Sequence, residues 1–128
     1  MSKEPKFFVC KHCGNMVSML FASGQSMVCC GDPMTELIPN TTDAAQEKHV
    51  PVITVNNTTV SVDIGSVPHP MTPEHHIVWI YLETIAGGQI NFLAEDGKPR
   101  AEFAILPGDK VIAAYEFCNL HGLWKASL

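Results

Sequence analysis

Five cysteines and six histidines in 128 residues give this chain the composition of a metal protein. Four of the cysteines fall in the first 30 residues, as Cys10-Lys11-His12-Cys13-Gly14 and Cys29-Cys30-Gly31. Four thiolates at one centre make a tetrahedral S4 site, which suits zinc or a single iron. The first pair with its glycine is a CxxC knuckle. The second pair is adjacent in sequence. Vicinal cysteines reach one metal only by straining the local backbone, so a distorted tetrahedron is expected. A structural zinc ribbon and a disulfide pair are the other readings of the same residues. Clustered thiols in a reducing cytoplasm favour ligands over disulfides. His12, inside the knuckle, reads as an exposed spacer.

The second group is spread along the chain: His49, His69, His75, His76, Cys118 and His121. Singly, each has a bland explanation, as a surface histidine or a buried inert thiol. Together they do not. Cys118-Asn119-Leu120-His121 puts a thiolate and an imidazole within reach of one metal. Two prolines in Val67-Pro68-His69-Pro70 fix the loop that carries His69. One thiolate and up to four imidazoles exceed the four-coordinate preference of zinc. Five protein ligands suit iron, with a sixth position open for redox or small-molecule chemistry. Glu47 and Lys48, just before His49, set an acid and a base beside an imidazole. A solvated charge pair ahead of a strand is the alternative for those two.

The elements that must position these groups are short and β-patterned. Runs at Val52–Val55, Thr59–Ile64, Ile77–Ile85, Ile90–Leu93, Ala101–Ile105, Lys110–Phe117 and Leu123–Ser127 are separated by turn signals such as Asn56-Asn57, Asp96-Gly97 and Pro107-Gly108-Asp109. Val60, Val62 and Ile64 alternate with polar residues, so one face of that strand is buried. About seven short strands in under 100 residues favour an immunoglobulin-like β-sandwich. A small closed barrel is the alternative. The His and Cys residues fall between these runs, in loops at the ends of strands, where function sits. The segment before about residue 37 has too few apolar residues to fold alone, so metal should supply its folding energy. Residues 38–48 read as a polar connection, with one helical turn capped by Thr42 or Asp43.

Composition narrows the function classes. A net charge of −5 argues against nucleic acid or an anionic membrane surface as partner. A small anionic substrate would be repelled by the whole and would need a local positive patch. No apolar run approaches the ~18 residues of a membrane helix. The N-terminus lacks the apolar stretch and cleavage site of a signal peptide, which points to the cytoplasm.

The pattern Cys10-x2-Cys13, Cys29-Cys30, Glu47-Lys48-His49-Val50-Pro51, His69-Pro70-Met71, His75-His76-Ile77 and Cys118-Asn119-x-His121-Gly122 resembles desulfoferrodoxin, the two-iron superoxide reductase family, over the whole chain. The resemblance implies a mainly β protein in two parts. Residues 1–37 would be a desulforedoxin-like FeS4 domain with Cys10, Cys13, Cys29 and Cys30 as ligands. Residues 38–128 would be a catalytic seven-stranded immunoglobulin-like sandwich. It would hold a second iron through His49, His69, His75 and His121 in one plane and Cys118 on the axis, with His76 structural. The implied reaction is one-electron reduction of superoxide to hydrogen peroxide. Lys48 would attract the anion and assist its protonation. Glu47 would close the sixth position after product leaves. The axial thiolate would donate electron density and labilise the iron–oxygen bond. An external donor such as rubredoxin would return the electron, and homodimers would be usual. The rival classes are a rubredoxin-like electron carrier without superoxide chemistry and a zinc-stabilised binding module. Iron content and reaction with superoxide separate them.

Overall fold

Twelve short strands and one helical turn make up the described part of the chain, residues 3–128 of a computed structural model. They divide into two units, Met1–Ile38 and Pro39–Leu128. Met1 and Ser2, the first residues of the expected N-terminal domain, lie outside the described residues.

In the first unit, β1 (Lys6–Val9) pairs antiparallel with β2 (Met16–Met19) on one side and β5 (Thr35–Glu36) on the other. A two-residue ladder joins β3 (Val28–Cys29) to β4 (Asp32–Pro33). Only Phe7 and Cys10 are buried among the described residues of this unit. So little apolar burial cannot offset the entropy of ordering the segment, as its composition anticipates.

The second unit begins with α1 (Gln46–His49) and continues through β6 (Pro51–Asn56), β7 (Thr59–Ile64), β8 (Ile77–Thr84), β9 (Gly88–Phe92), β10 (Arg100–Ala104), β11 (Val111–Cys118) and β12 (Gly122–Ser127). The order β10-β7-β6 forms one antiparallel sheet and β12-β11-β8-β9 the other. Val60, Val62 and Ile64 of β7 and Ala101 and Phe103 of β10 pack with Ile80 and Leu82 of β8 and Ala114 of β11. The alternation along Thr59–Ile64 is thus the inner face of one layer of a seven-stranded sandwich. Each fully buried aliphatic side chain there contributes about 1.5–3 kcal/mol.

The sheets do not close into a barrel. Where β9 and β10 meet, side chains replace a ladder: Gln89 Nε2 donates to Ala104 O (2.8 Å) and Asn91 Nδ2 to Glu102 O (3.0 Å). These bonds satisfy the edge carbonyls of β10 without extending either sheet. The β6–β7 hairpin turns at Asn57, whose φ of 56° is one that asparagine tolerates.

The helical turn differs from the expectation. It lies at Gln46–His49, its N-cap is Ala45, and no side chain caps it, so neither Thr42 nor Asp43 serves. Its bonds are local and tertiary instead. Lys48 N–H donates to Ala45 O and Val50 N–H to Gln46 O, while Val67 N–H donates to Glu47 O.

Candidate metal centres

The knuckle of the first unit forms because Gly14 N–H donates to Cys10 O and Cys10 N–H to Asn15 O, both at 2.8 Å. Gly14 takes a φ of 82° that a side chain would resist. Cys29 ends β3, and Cys30 turns the chain with a φ of 52°. This is the backbone strain anticipated for a vicinal pair, costing about 1–2 kcal/mol for a residue with a Cβ. The four sulfurs lie within 4.8 Å of one another. Cys13 Sγ is 3.7 Å from Cys29 Sγ, and Asn15 Nδ2 donates to Cys29 Sγ at 3.7 Å. The Cys13 backbone N–H draws the Cys10 thiol down to about 6, while the crowding sulfurs of Cys13, Cys10 and Cys29 push Cys30 up to about 12. All four thiols can ionise together only around a cation, so the donor set fits a metal. His12 is exposed and engages the Asp32 carboxylate.

The second group gathers at one end of the sandwich. His49 arrives on α1, His69 and His75 on the β7–β8 connection, and Cys118 and His121 on the β11–β12 hairpin. Cys118 is the last residue of β11 rather than a loop residue. The register between β8 and β11 shifts there, with Phe117 opposite Trp79 and Cys118 opposite Ile77. Such irregularities aim side chains beside functional sites.

The four rings form a closed circuit. His49–His69, His69–His75, His75–His121 and His121–His49 have centroids 4.5–5.0 Å apart and planes at 77–84°. Across the circuit, His49 and His75 lie 6.3 Å apart and tilted by 31°. Cys118 Sγ is 3.5 Å from His69 Nε2 and 3.9 Å from His121 Nδ1. The sulfur thus lies against two opposite members of the circuit.

Proton positions show what the circuit is for. His49 Nδ1 faces Ala45 O at 2.7 Å, and His69 Nδ1 faces Pro70 O at 2.7 Å. A carbonyl only accepts, so both rings carry their proton there and present a lone pair at Nε2. Those two Nε2 atoms lie 3.2 Å apart, and His121 Nδ1 is 3.0 Å from His49 Nε2. His75 Nε2 is buried without a partner among the described residues. Burial lowers the pKa of His49 and His75 and that of His69 to about 4, so these three rings stay neutral near pH 7. Facing lone pairs are bound only if a cation lies between them. Nitrogens on one metal, with bonds of ~2.0–2.1 Å, sit ~3 Å apart when adjacent. His76 is spent differently, since its Nδ1–H donates to Thr72 O at 2.9 Å.

Burial raises the pKa of Cys118, and the backbone N–H groups of Leu120 and His121 oppose it by donating to the sulfur. Trp124 stacks on His49 with centroids 4.9 Å apart and donates Nε1–H to His121 O at 3.1 Å, bracing two donors at once. Glu47 and Lys48 are exposed, and the Lys48 charge is felt at both His49 and His75. The turn that bears them is seated on Gly65 (φ 82°), where an added Cβ would come within 2.6 Å of Glu47 O and 2.8 Å of Lys48 Cα. Gly65 carries no pattern that marks it in the sequence. The same holds for Glu116, a carboxyl on the inner face of β11 with neither oxygen partnered among the described residues, which burial holds protonated with a pKa of about 9.

A tetrathiolate knuckle and a four-imidazole, one-thiolate ring on a mainly β scaffold define a non-haem metalloprotein with two distinct centres. The desulfoferrodoxin family model matches residues 41–127, and the model of the desulfoferrodoxin N-terminal domain matches residues 2–37. The chain is 45% identical over 130 aligned residues to a desulfoferrodoxin of Clostridium acetobutylicum, covering 100% of both chains. It is 46% identical to one of Nitratidesulfovibrio vulgaris, over 98% of each. Its fold is similar to the superoxide reductase from Treponema pallidum, with a TM-score of 0.83 and 43% identity over 97% of this chain and 99% of that one. The chain belongs to the desulfoferrodoxin family. Its tetrathiolate and imidazole–thiolate donor sets are those of two iron centres.

Proposed function

We propose that this chain is a superoxide reductase. Superoxide takes up one electron and two protons and leaves as hydrogen peroxide. The observation that carries the reading is the circuit of four imidazoles with the Cys118 sulfur against it, in a chain of this family. His49, His69, His75, His121 and Cys118 would hold one iron, and Cys10, Cys13, Cys29 and Cys30 the other. Iron at the histidine-ring centre supplies the electron and a Lewis-acid position for an oxygen anion.

The remaining work falls to side chains. Carbonyl bonds from Ala45 and Pro70 lock the tautomers of His49 and His69, so their lone pairs are preset. N–H donors at Leu120 and His121 temper the charge on Cys118 and so the electron density it donates. Lys48 supplies the positive charge that a chain of net charge −5 otherwise denies an anionic substrate. Its ammonium, or a water it orders, delivers a proton to the departing peroxide. Glu47, its neighbour on the same turn, would offer a carboxylate to the iron once product has left. An external one-electron donor such as rubredoxin restores the reduced state, and the working form is a cytoplasmic homodimer.

Pulse-radiolysis mixing of the reduced protein with superoxide tests the reading. Rapid second-order oxidation of the histidine-ring centre, yielding peroxide without oxygen, is expected. A second centre that stays reduced would instead make the chain an electron carrier.

A further inference from the structure

Asn119 separates two donors, Cys118 and His121, yet its side chain reaches a third segment. Asn119 Oδ1 accepts from His76 N–H at 2.9 Å, and Nδ2 donates to Glu74 O at 3.0 Å. Its own N–H donates to His76 O at 3.2 Å. One residue thereby grips the chain on both sides of His75. Inside that grip, Thr72 holds His75 by its backbone: His75 N–H donates to Thr72 O and Oγ1, and Thr72 N–H donates to His75 O at 2.9 Å.

The grip matters because the four rings are not equally anchored. His49 and His69 each donate Nδ1–H to a carbonyl. Among the described residues, the His75 Nε2 is buried and unmatched. Its direction is set by the backbone that carries it and by the flanking rings of His69 and His121. The backbone is therefore the remaining lever on His75, and the Asn119 amide fixes it to the hairpin bearing Cys118 and His121.

We propose that Asn119 is a positioning residue for the histidine-ring centre. It would hold the His75 segment in register with the Cys118–His121 hairpin, so that both arms close on the same ion. The proposal rests on the reading of that ring as the iron site. Both functions of the amide are needed, one as acceptor and one as donor. An aspartate would keep the acceptor for His76 N–H but set an oxygen against Glu74 O. An alanine would lose both.

The test compares wild type, Asn119→Ala, Asn119→Asp and Asn91→Ala, all as iron-loaded full chains. Asn91→Ala removes a similar side-chain-to-carbonyl bond, to Glu102 O, between strands that carry none of the ring's donors. Release of iron to a chelator is followed separately at each centre by its own absorption and paramagnetic resonance signals. Both Asn119 variants should lose iron from the histidine-ring centre about 10-fold faster or more, with an altered resonance line shape. The tetrathiolate centre and Asn91→Ala should match wild type. Should Asn119→Ala not fold, Asn119→Asp carries the test alone. Wild-type release and line shape in the Asn119 variants would overturn the proposal, as would equal loss from both centres. A wild-type chain with no iron in the histidine ring would instead sink the functional reading beneath it.

Discussion

The Nε2 atoms of His49 and His69 lie 3.2 Å apart, and each ring carries its proton on the opposite nitrogen, committed to a carbonyl. Two lone pairs facing at that distance repel in the absence of a cation. Folding therefore brings the metal-free ring together at a cost, and metal binding should return it. The mutational outcomes below follow from how the neighbouring residues serve that ring.

Lys48→Ala should slow the second-order reaction with superoxide by about 10-fold and flatten its dependence on ionic strength. Only the local charge is lost, because Lys48 is exposed and its backbone bond to Ala45 is unaffected. Pulse radiolysis across a salt series measures both effects, and an unchanged slope would remove the steering role.

Glu47→Ala should leave that first encounter intact and alter the absorption of the oxidised resting protein. The side chain is solvent-exposed, while its backbone oxygen stays bound to Val67 N–H. An identical oxidised spectrum would exclude Glu47 from the coordination sphere.

Cys118→Ser should abolish the sulfur-to-iron charge-transfer band of the oxidised histidine-ring centre while the tetrathiolate centre keeps its own absorption. The sulfur is the softest donor in the ring and lies close to two opposite corners of it. Survival of the band would refute axial thiolate ligation.

Gly65→Ala should destabilise the chain by about 1–3 kcal/mol, from a disfavoured φ and the collision with the Glu47–Lys48 backbone. That lowers the melting temperature by about 4–8 °C per kcal/mol for a unit of this size. Calorimetry reads the loss. Because Lys48 is displaced, the superoxide rate should fall as well.

Thr84→Val should weaken the fold most near neutral pH. Thr84 Oγ1 donates to Asp109 Oδ2 at 2.7 Å and, with the Ala86 and Lys110 N–H groups, holds the Asp109 pKa below its ordinary value. A depressed carboxyl contributes stability above its unfolded pKa of about 3.9 and loses it as pH falls through the folded value. The melting gap between variant and wild type should be widest near neutral pH and close in acid, as the pH falls through the lowered Asp109 pKa. A gap that persists in acid would place the effect in packing instead.

The donor types and their spacing were legible in the sequence, and so was the strand pattern. Alternation at Val60, Val62 and Ile64 fixes which face is buried, because side chains in a strand repeat every second residue. Cys10, Cys13, Cys29 and Cys30 are local enough in sequence to declare one centre. The rest depended on contacts between distant segments. Neither His75 nor His76 is distinguished by its neighbours; the fold turns the His75 Nε2 into the ring and spends His76 Nδ1 on Thr72 O. The helical turn under Glu47 and Lys48 has no side-chain cap, and bonds to Ala45 and Val67 hold it. Asn119 grips Glu74 and His76 across more than 40 positions of sequence. Sequence by itself determined which atoms were available to bind metal. Only tertiary structure decided which lone pairs face one another, because that depends on where each ring finds a carbonyl for its proton.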